Sequence, residues 1–436
     1  MMLPPSQSLS AAILFSLCAY AMPVSAQTAQ DPGAPAAPQT ALSGPPVAEV
    51  SDEEVRALAE GVQGDAALQS RDSGQAQAAG AIGPSTASSS LNPDMSVILD
   101  VAAATYTHDP LTTGEHDPGD PGFTLQQLEL HIGASVDPFF RLDGNIVYSA
   151  HGVELEEAFA TTLALPLNFQ LRAGQFLTRF GRLNSTHPHQ WNFADQPLIL
   201  GKFFGSDGNR GVGAEASYLA DLPWFAEVVF AAQGLTGNCC SRTYDATDPT
   251  PEDPEGAQSS PSVMWTGALK QFFVLSSNTS LLWGLSAQTA PQAPEGRAVI
   301  LGSDLYLRWR PSTSDRRESL SLQVEGMWRH RHAPDTVPSV NLQDWGGYAQ
   351  VVWGINALWE AGVRAEMVTG LANDPLDPDW TQRRTRYAAQ ATYYPTHFSR
   401  VRAQGIWGRA GWLNHDIVGA LITLEILVGA HGAHTY

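Results

Sequence analysis

No stretch of this 436-residue chain is long and apolar enough to cross a bilayer as a helix. The best run, residues 417–430, is too short and carries Glu425. Charge is scarce as well: 16 % of residues are Asp, Glu, Lys or Arg, low for a water-facing surface. Yet the mean hydropathy is slightly negative. These two facts exclude a helical membrane protein and argue against an ordinary soluble one. A closed β-barrel alternates lipid-facing and water-facing residues, so it sits in a bilayer while averaging polar.

Lysine is nearly missing, with Lys202 and Lys270 the only two among 24 basic residues. The rest are arginines, which suit bidentate anion contacts and pairing inside a crowded pore, although a GC-rich genome also yields this bias. A formal charge of −20 excludes a nucleic-acid partner, which calls for a basic face. The three cysteines offer no disulfide framework: Cys18 lies in the apolar N-terminal run, and Cys239 and Cys240 are adjacent. There is no nucleophile elbow, H-E-x-x-H helix, P-loop or dinucleotide fingerprint, so the reading is a non-enzyme without a cofactor.

What is present falls into three parts. Residues 1–26 read as a signal peptide, with Val24-Ser25-Ala26 as its cleavage signature, although its first ten residues lack Lys and Arg. Residues 27–90 are rich in Ala, Pro, Gln and Ser and cannot bury a core, which predicts a disordered periplasmic linker. Within it, a capping box at Ser51–Glu54 is compatible with a short periplasmic helix over 51–68, an oligomerisation segment or only a transient helix, the last being the preferred reading. From residue 91 to 436 the hydrophobic period changes to two.

This last part predicts about sixteen antiparallel strands, among them 93–105, 123–136, 139–150, 169–181, 298–310, 344–355 and 417–430. Short turns such as Asp137-Pro138 and Pro166–Asn168 alternate with long connections such as 106–122, 182–208, 334–343 and 371–382. That alternation is the expected signature of an all-β transmembrane barrel. Parity then assigns faces. In 139–150, Phe140, Leu142, Ile146 and Tyr148 face lipid, while Arg141, Asp143, Asn145 and Ser149 face the lumen. The same parity turns Glu129, Arg172, Arg308, Arg310, Arg329, Arg364, Glu366, Arg384, Arg386 and Arg402 inward as pore-lining charges. Opposing basic and acidic walls orient polar solutes; alternatively, the charges pair with one another and merely keep the wall wet.

The connection 182–208 is the candidate constriction loop, through His187, His189, Trp191 and Asp195. His187 and His189 are also weak metal-ligand candidates, since imidazole and carboxylate suit zinc, but the pair has no fixed third ligand. The acidic stretch 245–255 lacks the glycine spacing of a calcium loop and reads as solvated.

Several phrases resemble one family of Gram-negative outer-membrane proteins. They are Leu91–Ser96, Gly122–Leu130, Val136–Phe140, Ala173–Gly181, His187-Pro188-His189 and Gly429–His434. The family is often labelled zinc-regulated TonB-dependent outer-membrane receptor, and around the Gly174-Gln175-Phe176 strand the chain is also similar to phosphate-selective porins. The resemblance implies a porin-like barrel in the bacterial outer membrane, in contact with lipid and lipopolysaccharide. It also implies recognition of the terminal Tyr436 by the barrel-assembly machinery. The expected function is passive diffusion of small polar or anionic solutes, with a homotrimer as the possible assembly. The alternative is a receptor whose outer loops take up zinc or another ligand. No plug domain follows a TonB box in this chain.

Overall fold

A computed structural model describes residues 93–429, except 151, 236–241, 244–262, 292–296, 312–317, 334–339, 373, 375–376 and 378. The expected signal peptide, linker and helix 51–68, the Cys239-Cys240 pair, the stretch 245–255 and Tyr436 lie outside the described residues.

Sixteen antiparallel strands close into one barrel. They are β1 (Asp94–Tyr106), β2 (Gly122–Ser135), β3 (Phe140–Ser149), β4 (Gly152–Thr162), β5 (Phe169–Leu177), β6 (Arg210–Leu219), β7 (Phe225–Gly234) and β8 (Val263–Ser276). The second half is β9 (Thr279–Pro291), β10 (Arg297–Trp309), β11 (Ser319–Ala333), β12 (Val340–Gly354), β13 (Trp359–Val368), β14 (Arg384–Thr396), β15 (Ser399–Ala410) and β16 (Ile417–Gly429). Each strand pairs with its sequence neighbours, and β1 meets β16 in register from Ser96 with Gly429 to Tyr106 with Gly419. Closure leaves no strand edge unpaired, which a bilayer requires because lipid offers backbone amides no partner.

Strict alternation makes the two faces. Along β16, Thr423 and Glu425 are buried inside while Val418, Ile422 and Val428 are exposed outside. The turns at one barrel end are chemically explicit. Asp137 Oδ1 accepts from the Phe139 and Phe140 amides at 2.7 and 2.8 Å. Asn356 Oδ1 does the same for Leu358 and Trp359 at 2.8 and 3.0 Å. In the β4–β5 connection, Leu167 and Asn168 both take positive φ (60° and 58°), as the two central residues of a tight turn closed by the Phe169 amide on Pro166 O at 3.4 Å.

Three expected boundaries move. β5 ends at Leu177 instead of 181, because Thr178 leaves the ladder and the chain turns into the barrel. β12 begins at Val340, four residues before the expected start, so connection 334–343 is shorter than its composition suggested. Arg310 falls one residue past β10, where its backbone amide bonds Asn278 O at 2.7 Å and its side chain is exposed.

Candidate functional site

Residues 178–209 fold into the lumen. Their neck is closed: the Thr178 amide bonds Asn209 O at 2.8 Å. The Asn184 amide group donates to Thr178 O and Asn209 O at 2.8 and 2.9 Å, and its Oδ1 accepts from the Asn209 amide. Gly181 takes φ +63°, and a Cβ there would stand 1.7 Å from Glu325 Oε1. Gly181→Ala is therefore expected to cost about 1–3 kcal/mol. Thermal unfolding in detergent checks this, and a wild-type midpoint would refute it.

The loop stays inside for two reasons. The first is apolar. Phe180, Leu198, Phe203 and Phe204 are fully buried, against Met264, Ala290, Ala298 and Ile300 of β8–β10 and Met327, Tyr348 and Val368 of β11–β13. Apolar wall positions inside a polar lumen have this cluster as their partner. A short helix, α1 (Leu198–Phe203), carries much of it. Its first amide would be orphaned, but Glu366 Oε2 of β13 accepts from it at 2.7 Å.

The second reason is charge, in three clusters. In one, Asp195 Oδ1 lies 2.8 Å from Arg364 and its Oδ2 lies 3.0 Å from Arg386, while Gln404 donates to Oδ1 at 2.5 Å. Both arginines also share Glu366 at 2.8 Å. Burial pushes the Asp195 carboxyl up, but Arg364 and Arg386 override it and hold it below its ordinary value. Arg364 also lies 4.6 Å over the Phe193 ring.

A second cluster joins the loop to the connections at the long-loop end. Lys202 contacts Asp344 at 3.1 Å and Asp377 at 3.2 Å. Arg329 bonds the same two carboxylates at 2.5 and 2.7 Å, Arg242 adds a contact to Asp377 at 2.7 Å, and Arg331 reaches Asp374. All but Arg242 are almost wholly buried.

The third cluster holds the loop's tip, around a 3₁₀ turn at Pro188–Gln190. His189 Nδ1 is 3.0 Å from Glu129 Oε2. His187 Nδ1 is 3.2 Å from Glu156, and its Nε2 is 3.0 Å from Glu157 and 2.8 Å from the Asn145 amide. Arg400 donates to His189 O at 2.6 Å and Trp191 O at 3.1 Å, and Arg402 donates to Trp191 O at 2.8 Å.

Among the pore-lining candidates, Glu129, Arg329, Arg364, Glu366, Arg386 and Arg402 thus converge on the inserted loop. Arg384 reaches the carbonyls of Pro110 and Leu111 in the β1–β2 connection. Arg141 pairs with Asp143 at 2.9 Å on β3, and Arg172 pairs with Glu215 at 3.0 Å, over the Phe176 ring at 4.2 Å. Arg308 is half-buried on β10. His187 and His189 lie 5.8 Å apart with near-parallel rings and share Glu129, whose Oε1 is 3.8 Å from His187 Nδ1. Among the described residues, the ligand atoms that converge on one point are those of Glu115, Glu154 and Asp207 at the long-loop end, without either histidine.

Parity missed specific partners. Glu157 should point outward, but a register shift between Asn145 and Ile146 turns both Glu156 and Glu157 inward. Arg400 has the parity of Arg402 and was legible on that ground. Lys202 and Asp377 sit in connections, where no period exists to read.

A closed barrel crossed by its own loop defines a porin-like protein. Among solved structures, the chain is similar to the outer-membrane channel DcaP of Acinetobacter baumannii (TM-score 0.51, 11 % identity, 77 % of this chain and 97 % of that one). It is also similar to OprB of Pseudomonas putida (TM-score 0.52, 9 % identity, 77 % and 94 %). At such identity the likeness is one of fold. No protein-family model matches, so the zinc-regulated receptor label gains no support. By sequence, the chain belongs to the family of a protein of Aquifex aeolicus (strain VF5) named "Uncharacterized protein", 30 % identical over 374 residues, 78 % of this chain and 75 % of that one.

Proposed function

We propose that the protein is an outer-membrane channel for passive diffusion of small polar or anionic solutes, constricted by its own loop 178–209. The observation that carries this reading is the loop itself, pinned across a polar lumen by paired charges. Passage then depends on the cross-section the loop leaves and on the Arg, Asp and Glu that face it. The segment 27–90 lies in the periplasm, and the outside of the barrel meets lipid and lipopolysaccharide, with Tyr436 read during assembly.

Assembly as a homotrimer is part of the proposal. Exposed tryptophans at Trp224, Trp265, Trp283, Trp309, Trp345, Trp353, Trp359 and Trp407 lie in the β6–β7 turn and on β8, β9, β10, β12, β13 and β15. None lies on β16 or β1–β6. Tryptophan favours the headgroup level, so a sector without it suits a protein neighbour. The zinc-receptor alternative has no converging histidines to support it among the described residues. Planar-bilayer recording of the refolded chain is the test. Discrete ohmic steps in groups of three are expected, and a chain silent at every pH, with and without its loop, would sink the channel reading.

A further inference from the structure

We propose that His187 and His189 form a proton-operated latch that holds the tip of the loop, residues 184–192, against the lumen wall and releases that tip as pH rises. This rests on the channel reading for its electrical readout alone. The geometry is unusual for a structural contact. A loop tip brings two imidazoles, each 2 % exposed, against the wall carboxylates Glu129, Glu156 and Glu157, which are 1–9 % exposed. A third imidazole, His116 of the β1–β2 connection, lies 3.3 Å from Glu156 on its other side.

Charge balance shows what this arrangement needs. Three carboxylates come from β2 and β4. Asp100 of β1 stands opposite Glu425 of β16, adding two more. The fixed cations here are Arg400 and Arg402 of β15, and Arg400 is already paired to Glu425 at 2.9 Å. With Glu115 beside His116, and Glu360 and Tyr394 beside Arg400 and Arg402, as further ionisable neighbours, the carboxylates outnumber the two guanidiniums, and protonated imidazoles offset the excess. Neutral imidazoles would leave that excess uncompensated in a nearly dry pocket, an arrangement that burial penalises heavily. Asn145, the other polar neighbour, contributes no charge.

The protons are held firmly. Burial pulls His187 down, but Glu129, Glu156 and Glu157 hold it well above its ordinary value. His189 is raised by Glu129 against the same penalty. His116, also opposed by burial, is lifted by Glu156 to about 9. A group whose folded value is raised stabilises fully below its ordinary value and loses that stabilisation as pH climbs through the raised one. Release therefore lies on the alkaline side of neutrality, around pH 9 for His116, with His187 and His189 giving up their protons above their ordinary values.

Two readouts test the latch on the full refolded chain between pH 6 and 10. One is hydrogen exchange of the amides 184–192, corrected for its intrinsic pH dependence. The other is mean conductance in a planar bilayer. In the wild type both are expected to rise about fivefold or more from pH 7 to 10. His187→Gln/His189→Gln should show the released level already at pH 7, with little further change. Should that variant fail to fold, His116→Gln, at the cluster's edge, should move the wild-type transition to higher pH, because Glu156 then acts on His187 alone. A wild type flat from pH 6 to 10 in exchange, or a double variant that keeps the wild-type rise, would overturn the latch. A chain without conductance at any pH would instead remove the channel reading, with exchange still deciding the latch.

Discussion

Replacing residues 179–208 with a short Gly-Ser turn will raise single-channel conductance several-fold. The Thr178 amide already bonds Asn209 O at 2.8 Å, so the two ends of the excised segment are adjacent and a turn can join them. The barrel should survive, because every strand pairs with its neighbours independently of the loop. Arg329, Arg364 and Arg386 would lose buried partners, but the emptied lumen would admit water, and solvated arginines cost little. Met264, Ile300, Met327 and Val368 would lose their apolar cover, so a lower thermal midpoint should accompany the gain in conductance. Two-electrode recording in a bilayer decides the matter. An excised barrel conducting no more than the intact one would mean that the loop does not limit passage.

Asp195→Ala is expected to be the most damaging point substitution in the loop. Its carboxylate meets Arg364 at 2.8 Å, Arg386 at 3.0 Å and Gln404 at 2.5 Å, all nearly buried. Removing one partner of a buried ion cluster costs about 3–5 kcal/mol, because it strands the charges that remain. Glu366 still neutralises part of the two guanidiniums, so the lower end of that range applies. The cost should fall on the loop, not on the barrel. Exchange of the amides 190–204 should accelerate by more than tenfold, with conductance noisier than in the wild type, while strand amides keep their protection. Wild-type exchange in 190–204 would show that Asp195 does not anchor the loop.

The latch and the Asp195 cluster differ in what can release them. Arginines keep their protons across the accessible pH range, so the β13–β14 anchor is permanent. The imidazoles do not. The loop is thus fixed at one side of the lumen and titratable at the other, which would let its tip move while α1 stays on the wall.

How much of this was legible beforehand varies with position. The strands were readable because a barrel wall has water on one side and lipid on the other, which writes a period of two directly into residues such as Phe140 to Ser149. The turns were readable because Asp137 and Asn356 cap their own backbones. The constriction loop was legible in place and length, since 182–208 breaks the period and carries His187, His189, Trp191 and Asp195. Its depth was not: nothing local says that Phe180 and Phe203 will find Ile300 and Met327 more than ninety residues away.

By itself, then, the sequence determined an all-β transmembrane barrel of sixteen strands, with inward charges and one anomalous connection, because alternation and turn chemistry are local. Only the tertiary structure decided that most of those charges pair instead of facing open water. It also decided that a register shift brings Glu157 inward beside Glu156 and that the histidines meet three carboxylates at the lumen wall. The physical reason is that an ion pair depends on which strands lie opposite a folded-in loop, and closing the barrel settles that geometry after the local pattern has done its part.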